Sequence, residues 1–229
     1  MGGGGGAWSI GLTHAQFATG LSIDGVSAEV AQDQWSLVGA WRDGRLSLAL
    51  SATWIASGQL RFDDGAPLGR SDRPFAALRY AFEPGFAAGF GVSWQALTTY
   101  DHPFDLTLSA QLAFATSTLR TPDAVPDDVR AGADWLAFDI RVGAMLSRTF
   151  ARTLTPYVAL RLFGGPIILS GRLPSGVNAT VSGSDKRHVQ LAAGVGLTPW
   201  PVSAPWLRMF VEGAAIAEYG FSAGVSASF

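Results

Sequence analysis

The sequence predicts an all-β protein: a single closed antiparallel transmembrane β-barrel of about 12 strands, with 10 as the alternative. Three observations lead there. The 229 residues are 48% hydrophobic but only 15% charged, against ~25% charge in soluble domains, which is too little for an ordinary wetted surface. The apolar residues are spread as alternation, and no window approaches the ~18–20 consecutive apolar residues of a membrane helix. Apolarity with a period of two is what a membrane-spanning barrel requires. Finally, Lys186 is the only lysine, whereas a water-facing strand face carries many. The bulky apolar parity is therefore expected outside, and the small polar parity inside.

Residues 1–6 read as a flexible Gly-rich segment and residues 7–229 as the barrel domain. Met1 followed by glycines lacks the charged start and apolar stretch of a signal peptide, so a mature or truncated chain is expected. Trp8, Ile10 and Leu12 alternate with Ser9, Gly11 and Thr13. The apolar parity then passes to Phe17, Thr19, Leu21 and Ile23, which predicts a bulge near His14 or two strands. Trp35, Leu37, Gly39 and Trp41 form the next face, and Asp43-Gly44 is the strongest hairpin signal. In the long strand after it, Leu46, Leu50, Trp54, Leu60 and Phe62 share one face, opposite Arg45, Thr53 and Arg61. A polar loop, Asp63 to Asp72, separates it from Ala76, Leu78, Tyr80 and Phe82, which oppose Arg79. Glu83-Pro84-Gly85 reads as a tight turn into Phe86, Phe90 and Trp94.

Asp101-His102-Pro103 interrupts the pattern before Leu106 to Phe114, opposed by Asp105, Thr107, Ser109 and Gln111. Thr121 to Ala133 reads as a long loop. Leu136, Phe138, Ile140, Val142 and Leu146 then oppose Asp139 and Arg141, and Val158, Leu160 and Leu162 oppose Arg161. Leu173 to Lys186 reads as a second long loop. Val189 to Leu197 forms the next strand, and Leu207, Met209 and Val211 face away from Arg208 and Glu212. The last strand sets Tyr219, Phe221, Ala223, Val225, Ala227 and Phe229 on one face and small polar residues on the other. Eleven strands are counted this way. A barrel of this kind has an even number, and the parity change near His14 is expected to supply a twelfth.

The ending Tyr219–Phe229 resembles the closing strand of bacterial outer-membrane β-barrels. The resemblance implies location in the bacterial outer membrane and contact with outer-membrane lipid and lipopolysaccharide. It also implies recognition of Tyr219–Phe229 by the barrel-insertion machinery. A second, local resemblance is carried by Asp72-Arg73-Pro74-Phe75-Ala76-Ala77, similar to the Asp-Arg-Pro-Tyr-Ala-Gly segment of the lipid A 3′-O-deacylase family. Phe17-Ala-Thr-Gly-Leu21 resembles that family's Tyr-Thr-Asn-Gly segment. It implies a twelve-stranded barrel and lipid hydrolysis. The family's Asn-Asp pair near the first strand is missing, because no acid precedes Asp24.

Trp8, Trp35, Trp41, Trp54, Trp94, Trp135, Trp200 and Trp206, with Tyr157, Tyr219 and Phe229, lie mostly near strand ends, where an interfacial girdle belongs. The polar parity supplies candidate lumen charges: Arg45, Arg61, Arg79, Arg141, Arg161 and Arg208, against Asp105, Asp139 and Glu212. Such charges can pack the interior as ion pairs or line an anion-favouring pore. No nucleophile elbow and no zinc-like histidine spacing is present, so no catalytic, metal or cofactor residues are assigned. A net charge of −2 without a basic cluster gives no reason to expect nucleic acid. The expected function is a non-enzymatic small-solute channel or structural envelope protein. A lipid A hydrolase and a soluble all-β ligand-binding barrel are the other readings.

Overall fold

The computed structural model describes residues 6–62, 79–120, 132–172 and 178–229. Thirteen antiparallel strands form one sheet closed into a ring. The first half comprises β1 (Ala7–Ile23), β2 (Val26–Asp43), β3 (Leu46–Phe62), β4 (Arg79–Phe82), β5 (Gly85–Leu97) and β6 (Asp105–Arg120). The second comprises β7 (Gly132–Ser147), β8 (Leu154–Gly164), β9 (Ile167–Arg172), β10 (Asn178–Asp185), β11 (Val189–Leu197), β12 (Leu207–Ala215) and β13 (Glu218–Ser228). No helix occurs among the described residues.

Several of these strands are pieces of one stave. β4 and β5 run end to end between β3 and β6. β8 and β9 run end to end along β7, and β10 and β11 along β9 and β8. Joining the three pairs turns thirteen strands into ten staves, the lower of the two expected counts. The break at Glu83-Pro84 is thus no turn. The chain continues in the same direction, because Pro84 cannot donate to the ladder while Glu83 N–H still donates to Thr118 O (2.8 Å). Asn178–Asp185, expected as loop, is β10. Its Ser/Thr/Gly composition hides the alternation, yet it pairs with β9 and with β1.

The ring closes twice. β13 pairs with β1 over Ser9–Thr19, and higher up β10 pairs with β1 over Leu21–Ile23. The β12–β13 hairpin therefore ends inside the wall. One rim carries the Trp8–Phe229 backbone pair (2.9 and 2.8 Å) and the turns after β2, β5, β7 and β11. In the β7–β8 turn, Ala151 and Arg152 both adopt positive φ (49° and 61°), the mirror-turn geometry that suits a hairpin's twist.

The outer surface near that rim is apolar. On β7, Leu136, Phe138, Ile140, Val142, Ala144 and Leu146 all point outward. That row is ~33 Å long at 3.3 Å per residue, or ~25 Å of height at a tilt near 40°, the apolar band a bilayer requires. Trp8 stands opposite Trp41 at one edge and Trp35 opposite Trp54 at the other. Two aromatics depart from the expected girdle. Trp135 is buried inside the barrel and Tyr157 lines the lumen, because odd-numbered positions of β7 and β8 face inward.

Toward the other rim the pattern inverts. β1 runs through His14 with unbroken register, so neither a bulge nor an extra strand is there. What changes is which parity is apolar. Trp8, Ile10 and Leu12 are about half exposed on the outside, while Leu21 (1%) and Ile23 (0%) are sealed inside. In β3 a bulge does the switching. Asp33 and Gln34 of β2 pair with Ser57 and Ile55, leaving Ala56 extra. Trp54 thus points out, whereas Leu60 (0%) and Phe62 (2%) point in. The Glu83-Pro84 break has the same effect on its stave, turning Tyr80 and Phe82 inward and Phe86 outward. These side chains meet Val26, Val30, Leu119, Trp135, Ile167 and Leu169 in one core. The physical reason is the solvent. Once the staves leave the bilayer, water wets their outer face, and apolar groups are stable only inside.

Candidate functional site

Below the apolar core, the inward polar parity builds a connected charge layer. Arg141 on β7 reaches across the lumen to Glu218, donating from Nη1 to Oε1 (3.2 Å) and Nη2 to Oε2 (2.9 Å). Its Nε donates to Asp139 Oδ2, and its guanidinium carbon lies 5.2 Å from the Phe163 ring centre. Arg161 on β8 grips Glu212 of β12 with two bonds of 2.7 Å each. Gln190 joins the two clamps, since its Oε1 accepts from Arg161 (3.0 Å) and its Nε2 donates to Glu218 (2.8 Å). Bidentate guanidinium–carboxylate pairs are the strong, geometrically specific kind. Gln190 is fully buried, so both clamps are held from the wall.

Gly194 makes room for the layer's lower edge. A Cβ there would sit 2.4 Å from Tyr157 Cζ, so the absence of a side chain lets Tyr157 pack over that spot. Asp185, at the end of β10 above the apolar band, faces the same acidic side. Its carboxyl is pushed up to about 6 by burial first and then by Asp139 and Glu218, against the pull of Arg141 and His188.

Toward the rim with the Trp8–Phe229 pair, the lumen widens into a cup of about 770 Å³. Arg42, Arg45, Arg152 and Arg208 line it, with Asp105 and a set of serine and threonine hydroxyls. Asp105 Oδ1 accepts from Gln95 Nε2 (3.1 Å) and Thr99 N–H (2.8 Å), and Gln95 Oε1 accepts from Arg42 (2.6 Å).

Arg141, Arg161, Asp139 and Glu212 are therefore brought together, and Arg45, Arg208 and Asp105 stand at the mouth. Arg61 and Arg79 are not in the lumen. Both are exposed on the outer face above the apolar band, opposite each other across β3 and β4. The Ala56 bulge and the Glu83-Pro84 break reverse the parity that placed them inside. Glu218, Asp185, Arg42 and Arg152 were not among the expected lumen charges, nor was the neutral link Gln190 singled out. Glu218 shares the parity of Ser222 and Ser226, and that signal could have found it. His14 also lies outside, its Nε2 2.9 Å from Asp33 Oδ1 and its ring tilted against Trp35 with centres 4.6 Å apart. Asp72–Ala77 lies outside the described residues, while Phe17, Thr19 and Leu21 point into the lumen.

No family model matches the chain, and no curated protein matches it in sequence. Among solved structures it is similar to the outer membrane protease OmpT from Escherichia coli. That match has a TM-score of 0.64 at 11% identity, covering 99% of this chain and 98% of that one. It is also similar to the outer membrane protein OprG from Pseudomonas aeruginosa (TM-score 0.48, 11% identity, 100% and 98% covered) and to Neisserial surface protein A (TM-score 0.42, 14% identity, 98% and 100% covered). At such identities the likeness concerns the fold, which is that of a small bacterial outer-membrane β-barrel.

Proposed function

We propose that the chain is an integral protein of the bacterial outer membrane that conducts no solute, a structural envelope barrel and not a channel. One observation carries this reading. The arginines expected to line a pore are tied to acids, Arg141 to Glu218 across the lumen and Arg161 to Glu212 along the wall over β11, and an apolar core is stacked beyond them. A conducting lumen needs mobile water along its length, whereas this one passes from fixed ion pairs into a packed apolar core. The outward apolar band supports the membrane location and argues against a soluble barrel, whose outer face would be polar. The rim with the turns after β2, β5, β7 and β11 is assigned to the periplasm, on the side of shorter connections as in barrels of this class. Tyr219–Phe229, with its outward aromatics, is the segment assigned to the insertion machinery, and lipopolysaccharide is the assigned lipid around the opposite end.

Planar-bilayer recording of the folded protein tests the reading. No steps above background are expected from the wild type. Reproducible conductance, with either ion preference, would return the protein to the channels.

A further inference from the structure

The cup at the periplasmic rim has a charge imbalance that a purely structural barrel does not need. Arg42, Arg45, Arg152 and Arg208 face it with Asp105 as the acid at the mouth. None of the four guanidiniums is ion-paired among the described residues. Arg42 and Arg45 are instead aimed by neutral acceptors, Arg42 by Gly44 O (3.1 Å) and Gln95 Oε1, and Arg45 by Ala96 O (3.5 Å). Asp105 is occupied by Gln95 and Thr99. Four positive charges against one negative leave an excess of three in a cup of a lumen that the apolar core seals farther along. A low-dielectric wall concentrates that field on whatever enters. Arg152 reaches the cup from a turn of positive φ that an arginine adopts at a cost.

We infer that this cup is a binding site for a small periplasmic solute bearing at least two phosphate groups on a hydroxylated body, such as a sugar bisphosphate. Two phosphates carry ~3–4 negative charges at neutral pH, which matches the excess of three. Guanidiniums bind phosphate oxygens in a fork geometry. The hydroxyls of Ser47, Ser93, Thr107 and Ser147 face the same space and suit a sugar, and the volume is that of ordinary small-molecule sites. The inference rests on the sealed-barrel reading, because a blind cup retains its ligand and a pore would pass it.

Isothermal titration of the folded full chain in non-ionic detergent, with fructose 1,6-bisphosphate as probe and citrate as a carboxylate of similar charge, tests it. Saturable binding that weakens with salt and exceeds that of citrate is expected. Arg42→Gln with Arg208→Gln should weaken it at least about tenfold, while Arg120→Gln, on the outer face, should leave it unchanged. Heat-modifiable gel migration reports that each variant is folded. Absence of saturable binding, equal binding of citrate, or equal binding by folded Arg42→Gln/Arg208→Gln protein overturns the inference. Bilayer recording is separate. A silent bilayer without binding defeats only the cup, and conductance defeats the sealed-barrel reading.

Discussion

Glu218 sits where the β12–β13 hairpin meets β1, and both of its carboxylate oxygens are engaged by Arg141 while Gln190 donates to Oε1. Removing Glu218 leaves Arg141 with Asp139 alone and two of its donors unmatched. Glu218→Ala should therefore destabilise the barrel by about 3–5 kcal/mol, and the triple change Asp139→Asn/Arg141→Met/Glu218→Leu, which leaves no lone charge, by much less. Urea unfolding followed by tryptophan fluorescence compares the two. Equal losses would mean that the stranded Arg141 charge is not what the single substitution costs. Asp185 gives a pH signature. Its carboxyl is raised from 3.8 to about 6, so the native state binds its proton more tightly than the unfolded chain does. That favourable contribution is complete below pH ~4 and is lost as pH rises through 6. Asp185→Asn should accordingly stabilise the protein at pH 7.5, by roughly 1–2 kcal/mol after allowing for partial exposure, and change little at pH 4. Thermal midpoints at the two pH values check this, and a stabilisation confined to acid pH would contradict it.

Within the elements, alternation was readable wherever a stave stayed in one environment. β6, β7 and β8 run inward-odd and outward-even throughout, and their faces follow directly from the residues. Arginine at Leu108, Phe138 or Leu160 should cost about 2–4 kcal/mol near the bilayer midplane, while Ser109→Arg, on the inward parity, should be tolerated. Folding titrations into lipid vesicles measure the difference, and equal penalties on both parities would reverse the assigned faces. β3 was harder to read. Its apolar residues keep even numbers from Leu46 to Phe62, so an unbulged strand and a bulged one look identical in sequence. Only the pairing with β2 reveals that Ala56 is extra. The Arg61 assignment failed for that reason, and the Arg79 assignment because the Glu83-Pro84 break reverses parity on its own stave. In β1 the opposite occurred, since a change of apolar parity without any bulge marked a change of solvent. One pattern has two physical causes, a shifted backbone or a shifted environment, and the sequence does not separate them.

At the scale of the whole molecule, the class followed from apolarity without helical runs, and from a lone lysine. The stave count did not, because Pro84, the Gly165-Pro166 break and the Lys186–His188 break divide staves that continue in the same direction. Nor was the clamp legible, because Arg141 and Glu218 are 77 residues apart and meet only when the ring closes. The central claim is that the apolar parity turns from lipid to lumen as the staves leave the bilayer and thereby seals the barrel. β3 tests it most directly, since the chain contains no cysteine and single-cysteine spin labels can be placed at will. Labels at positions 50, 52 and 54 should be relaxed by oxygen from the lipid phase. Labels at 59 and 61 should be relaxed by a water-soluble nickel chelate, and labels at 60 and 62 by neither. Lipid accessibility continuing through 60 and 62 would contradict the account.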